Sequence, residues 1–257
     1  MKSTGMRRIA LALVLVVGLA GCGGAKNSTQ TTPTVATTTS AGTATLRVYL
    51  IRDGKVGPAG RAVAATRAIA TAAMDELLKG PSSDEAGIGL TTSIPAGTTL
   101  QVLSIADRVA TVDLSPEPAT DAARAQVVYT LTQFPTVASV RFGTGGTAVG
   151  RSDFEAETPR ILVESPLPFD TVTSPVRLAG TSDTFEANFT AELVAADGTV
   201  LDKHFVTATS GSGTRGTYAT TLTGPTGATG SATVKVWEPS AENGQPLGTV
   251  EIPVQLG

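Results

Sequence analysis

Cys22 and His204 are the only residues of their kinds in this 257-residue chain, so any sulfur or imidazole chemistry must pass through one of them. A lone histidine cannot build a histidine-based metal cluster, and no HExxH or CxxC pattern occurs. A Ser-His-Asp relay would have to use His204, which falls in a predicted strand, and no G-x-S-x-G turn presents a nucleophile. A partly exposed strand histidine without a catalytic role is the better reading. Asp75 and Glu76 are adjacent on a predicted helix, so their carboxylates point apart, as on a solvated face. Asp113 sits at a strand end before Ser115 and Pro116, where a carboxylate typically holds turn amides. Gly87 and Gly89, and Gly143, Gly145 and Gly146, do not open a helix after a strand, so turns account for them better than a phosphate cradle. No catalytic, cofactor or metal residue is expected.

Cys22 carries a different chemistry. It closes Leu19-Ala20-Gly21-Cys22, after the basic residues Lys2, Arg7 and Arg8 and an apolar run from Ile9 to Val17. That order is a secretory signal peptide ending in a lipobox. The thiol would be diacylglycerated and the peptide cut before it, making residues 1–21 an address and Cys22 a lipid anchor. The apolar run is short for a membrane span, which needs ~20 residues. Cleavage without lipidation would leave Cys22 a free thiol in an oxidising compartment. The expected location is the extracytoplasmic face of the cell membrane.

The whole chain carries 19 basic and 22 acidic side chains, a net charge of −3. Cleavage removes Lys2, Arg7 and Arg8 and no acid, leaving 16 against 22, or −6. No polybasic patch assists membrane binding, so the lipid must hold the protein there. Nucleic-acid binding is excluded for the same want of clustered cations. With Cys22 committed to lipid, no intramolecular disulfide can form, and the folded parts rest on apolar cores alone.

Residues 22–43 are rich in Thr, Ser, Gly and Ala without hydrophobic period, and read as a tether of ~25 Å average span. Residues 44–150 alternate strand and helix signals. Leu46, Val48 and Leu50 mark a strand before the Asp53-Gly54 turn; Arg61 to Lys79 reads as a helix stopped by Gly80-Pro81. Leu100 to Ile105 and Arg108 to Leu114 read as a hairpin, Asp121 to Gln133 as a second helix, and Val137 to Val149 as a final hairpin. One sheet backed by two helices, an α+β unit, fits this order. Asp153 to Pro159 reads as a linker. Residues 160–257 then show seven short strands separated by turn signals, the pattern of an all-β immunoglobulin-like sandwich without its cysteine pair.

Two resemblances follow these divisions. Met74-Asp75-Glu76-Leu77-Leu78-Lys79-Gly80-Pro81, Gly89 to Gly97, Ala110 to Ser115, Thr130 to Pro135 and Val140-Arg141-Phe142 resemble, in order, the blocks of the GerMN domain of sporulation and spore germination proteins. Ile161 to Pro166, Ser174 to Gly180, Phe185 to Asn188 and Arg215 to Tyr218 are similar to the immunoglobulin-like domain that often follows it in bacterial lipoproteins. The resemblance implies a non-enzymatic, scaffold-like role at the cell envelope, and it brings no catalytic residues with it.

Two residues remain as candidate contacts. Glu186, inside one of these blocks, would tie a strand crossing to a backbone amide, or else meet a ligand. Trp237 lies opposite Val234 and Val236 on its strand, so it would be partly exposed, either packing at the edge of the sandwich or anchoring a partner. The expected partners are the membrane through Cys22 and a protein, through association with another chain or with itself. Cell-wall glycan or small-ligand binding is the alternative, poorly served by one tryptophan and three tyrosines.

Overall fold

The computed structural model describes residues 42–257. It opens on a long hairpin: β1 (Thr43–Arg52) pairs antiparallel with β2 (Lys55–Ala64), from Thr43 opposite Ala64 to Arg52 opposite Lys55. Asp53 and Gly54 both have positive φ, 52° and 74°, which suits the right-handed twist of a two-residue hairpin. The helix expected from Arg61 therefore begins only at Ile69. Residues 61–64 are alanine-rich and favour a helix locally, but pairing with β1 overrides that weak preference.

α1 (Ile69–Leu78) buries Ala70, Ala73, Met74 and Leu77 and is followed by Gly80 at φ 75°. A short α2 (Ser83–Gly87), not foreseen, starts in a capping box: Ser82 Oγ accepts the Glu85 N–H at 3.3 Å, and Glu85 Oε2 accepts the Ser82 N–H at 2.8 Å. β3 (Thr99–Ala106) and β4 (Val109–Ser115) form a hairpin, α3 (Asp121–Leu131) crosses back, and β5 (Ser139–Phe142) returns parallel to β4 before β6 (Ala148–Val149). The sheet order is β3-β4-β5-β6. α3 is buried along almost its whole length. Its Gln126, Thr130 and the following Gln133, spaced along one helix face, serve the backbone of β1. Gln126 Nε2 donates to the Tyr49 carbonyl (3.0 Å), Thr130 Oγ1 accepts the Tyr49 N–H (3.0 Å), and Gln133 accepts from and donates to Arg47 (2.9 and 2.6 Å). The outer edge of β1 is thus satisfied by side chains.

The stretch expected as a linker is ordered. Arg151–Glu157 forms a 3-10 segment with Phe154 only 5% exposed in the first core. Beyond it come β7 (Ile161–Ser165), β8 (Thr171–Val172), β9 (Val176–Ser182), β10 (Asn188–Ala195), β11 (Val200–Thr207), β12 (Gly216–Leu222), β13 (Gly230–Pro239) and β14 (Pro246–Leu256). They make a five-stranded sheet, β11-β10-β13-β14-β8, and a three-stranded sheet, β12-β9-β7. Each of the seven expected strands is present, and the two-residue β8 joins them by pairing parallel with β14. The core between the sheets includes Ile161, Leu178, Phe189, Leu193, Tyr218, Val234 and Val236, with the Phe189 and Tyr218 rings edge to face at 4.8 Å. The α+β unit and the all-β sandwich are therefore both realised. All described residues fall in one compact unit, and Leu162 of β7 belongs to the core of the first domain.

Candidate functional site

The seam between the domains is built from residues distant in sequence. Arg151, at the start of the 3-10 segment, reaches Glu164 on β7 with Nη1–Oε1 at 2.9 Å. Its guanidinium lies 4.6 Å from the Tyr129 ring centroid and 5.3 Å from that of Tyr49, and Nε donates to Thr132 Oγ1 at 2.8 Å. The Tyr49 hydroxyl donates to Glu164, and Arg47 Nε donates to the Glu164 carbonyl at 3.0 Å. Burial works to raise the Glu164 pKa, but the Arg151 charge, the Tyr49 and Arg151 hydrogen bonds and the Arg47 charge outweigh it, so the carboxyl titrates below its ordinary 4.5. Burial likewise pushes the Tyr49 hydroxyl up. Arg215 adds a second tie, with Nε on Glu155 at 2.8 Å and Nη2 donating to the Pro159 carbonyl at 3.0 Å. Arg47 and Tyr49 on β1, Tyr129 on α3, Arg151 on the 3-10 segment and Glu164 on β7 are each held by a regular element, so the arrangement positions one domain on the other.

His204 on β11 sits 3.4 Å from Asp202 Oδ1 through Nδ1 and 3.3 Å from Thr220 Oγ1 through Nε2. A hydroxyl, an imidazole and a carboxylate in line resemble a relay, but both contacts are long. The other Asp202 oxygen is committed to the Thr223 N–H at 2.6 Å. The row staples β11 to β12, which belong to different sheets. Glu76 bonds Lys79 at 2.6 Å, and Asp75 faces solvent. Among the described residues no cluster of three or more His, Cys, Asp or Glu has the spacing to hold a metal ion, and no helix is long and apolar enough to cross a membrane.

Cys22 lies outside the described residues, as do the expected signal peptide and nearly all of the tether. Trp237 is half-buried on the outer face of β13, with Val234 and Val236 in the core behind it. Its strand is the third of five, so it packs mid-sheet and not at an edge. Nε1 donates to Glu192 Oε1 at 3.3 Å, and Lys203, paired with Glu192 at 2.8 Å, lies 5.2 Å from the ring centroid. Phe205, missed in the sequence, shares that face. The register Phe205–Thr190–Trp237 runs across three strands, and Phe205 is 73% exposed. The signal was present in β11, where Phe205 directly precedes the core residue Val206.

Glu186 is exposed, with left-handed φ of 53°, and it is its backbone N–H that is used, donating to Ser212 Oγ at 3.0 Å. The amide-tying carboxylate of this region is Glu238. It accepts the Phe185 N–H and an Arg160 N–H, each at 2.6 Å, and is only 4% exposed. Glu238 continues the buried alternation of Val234 and Val236, which flags a carboxylate that must be satisfied.

A different feature offers a contact surface. β3 is the outer strand of its sheet, and its sequence, Thr-Leu-Gln-Val-Leu-Ser-Ile-Ala, has no charge and no proline. Val102 is 48% and Ile105 41% exposed. Edge strands are usually blunted by charge, proline or bulges; a bulge between Leu100 and Val102 is the one such device in β3.

Residues 39–150 match the family described as sporulation and spore germination, and residues 160–245 the immunoglobulin-like domain of bacterial spore germination. Comparison with curated proteins finds no match. Among solved structures, the first GerMN domain of the sporulation protein GerM from Bacillus subtilis is 22% identical, covering 42% of this chain and 95% of that one at a TM-score of 0.29. The tandem GerMN domains of the same protein are 15% identical over 70% of this chain and 61% of that one, at 0.34. A Clostridium perfringens protein named provisionally as a lipoprotein is 20% identical over 44% of this chain and 90% of that one, at 0.31.

Proposed function

With residues 39–150 a GerMN domain and residues 160–245 the immunoglobulin-like domain of bacterial spore germination, we propose that this chain is an extracytoplasmic lipoprotein, moored through Cys22, that acts as a non-enzymatic interaction module in envelope or sporulation and germination assembly. The observation that carries the reading is the uncharged outer strand β3. The edge of β1 is closed by Gln126, Thr130 and Gln133, whereas β3 presents Val102 and Ile105 to solvent. An extended segment of a partner, or the same strand of a second copy, would add to it through backbone hydrogen bonds. The seam at Arg151 and Glu164 supports this role, because a fixed two-domain body presents the strand in one orientation. Chemical crosslinking on intact membranes tests the proposal: a discrete adduct supports it, and recovery of monomer alone contradicts it.

A second reading, cell-wall glycan binding, is favoured by one observation, the Phe205–Trp237 row on an open sheet face. Retention on purified cell wall that is lost in both Trp237→Ala and Phe205→Ala would select it over the first.

A further inference from the structure

A cavity of about 280 Å³ lies where the tip of the β1–β2 hairpin meets β7 and β14. Val56 and Leu90 wall it from the first domain, and Ile161, Val163 and Ile252 from the second; all five are buried, apolar side chains. At ~30 Å³ per water-sized group it has room for roughly nine such groups in a row or cluster. One unbranched acyl chain fits that space, and two do not.

The polar residues around this apolar space are unequal in sign. Arg52, Lys55 and Arg160 line it, against Asp53 as the sole carboxylate. Arg160 is already paired with Glu238. Arg52 and Lys55 are not neutralised in this way. Arg52 Nη1 donates to the Glu251 carbonyl at 2.7 Å and Lys55 Nζ to the Ala156 carbonyl, both uncharged acceptors. Neither has a carboxylate within ion-pair distance among the described residues. Two cations without counter-charge at an apolar cavity select an amphiphile with an anionic head, since apolar walls give affinity and a few placed charges fix orientation. Arginine's planar fork matches a carboxylate in two parallel hydrogen bonds.

We infer that this interdomain cavity binds a single-chain fatty carboxylate, tail among Val56, Leu90, Val163 and Ile252 and head at Arg52 and Lys55. The site needs both domains, which gives the docked seam a second consequence besides stiffness. It stands apart from the β3 edge and does not depend on it.

The test uses residues 42–257, which carry both cores and the seam, in titration calorimetry with decanoate and with decanol, whose nine carbons beyond the head match the cavity. Saturable binding of decanoate, about tenfold tighter than that of decanol, is expected. Gly57→Phe should abolish binding, because a side chain there begins 3.4 Å from Leu90 Cδ2. Thr249→Trp, at an exposed strand position on the opposite wall, gives the same blockade if the first variant fails to fold. The double variant Arg52→Gln, Lys55→Gln should bring decanoate down to the affinity of decanol. Absence of decanoate binding, equal affinity for acid and alcohol, or unchanged binding in the folded blocking variant overturns the inference. None of these results bears on crosslinking at β3, so the two proposals fail separately.

Discussion

Arg151 and Glu164 face each other at 2.9 Å across the junction of two domains, and the stretch joining them is a packed 3-10 segment with Phe154 in the core. The pair is half-shielded from water and stacked against two tyrosine rings, so its charges are costly to separate. Replacing Arg151 with Met leaves Glu164 facing the Tyr49 hydroxyl with only the weaker influence of the Arg47 charge. The expected loss is about 2–3 kcal/mol, between the values for exposed and buried pairs. Calorimetry should show one transition for the parent protein and two for Arg151→Met, as the sandwich begins to unfold apart from its neighbour.

The same carboxylate sets a pH dependence. Glu164 is held below its ordinary 4.5 in the folded protein, since its cation and hydrogen bonds outweigh the opposing effect of burial. A depressed folded pKa means the stabilisation is complete above the unfolded value and is lost as pH falls through the folded one. Glu85 follows the same sign, with burial outweighed by Arg61 and the Ser82 amide. Thermal stability should therefore fall as the pH is brought below the ordinary carboxylate range. Glu164→Gln should flatten that drop in part, leaving the share that belongs to Glu85 and to Asp202 and Asp197, whose carboxyls are also held down by hydrogen bonds.

Gly180 makes room for a crossing inside the sandwich. A Cβ there would sit 1.9 Å from the Leu162 carbonyl oxygen and 2.8 Å from Tyr218 Oη, which itself donates to that carbonyl at 3.0 Å. Gly180→Ala should cost about 3 kcal/mol or more, because the atom it meets is backbone and cannot rotate away. Denaturant unfolding of the variant, with Ala179→Gly at the neighbouring position as a milder control, measures the difference.

Much of this fold was legible in the sequence for physical reasons. Strands such as Val234-Lys235-Val236-Trp237 alternate cleanly because one face is dry and the other wet. The turn at Asp53-Gly54 announced itself because few residue pairs accept two positive φ values. Residues 61–64 misled because alanine favours helices until a partner strand is in place. The seam was hidden for a different reason. Tyr49, Arg151 and Glu164 are 115 residues apart at the extremes, and no local pattern marks a contact at that range. Glu186 drew attention within a shared block, while Glu238, on the inward side of β13, performs the task expected of it.

Attachment to the membrane is tested at Cys22. The lipobox reading predicts that Cys22→Ser moves the protein from the membrane fraction to the soluble extracytoplasmic fraction, without change in the unfolding temperature of residues 42–257. Cell fractionation with carbonate washing reads the first, and calorimetry the second. Firm membrane retention of the serine variant would refute the lipid anchor.

The interaction reading stands on β3. With Cys22 acylated, a cysteine placed at Gln101 on the outer strand would be the sole free thiol, ready for a short bifunctional crosslinker on intact membranes. A discrete adduct of fixed mass is predicted, and it should disappear when Val102 and Ile105 are both changed to Lys, since charge on an edge strand blocks strand addition. Monomer alone in the first protein, or an adduct indifferent to the two lysines, would contradict the account.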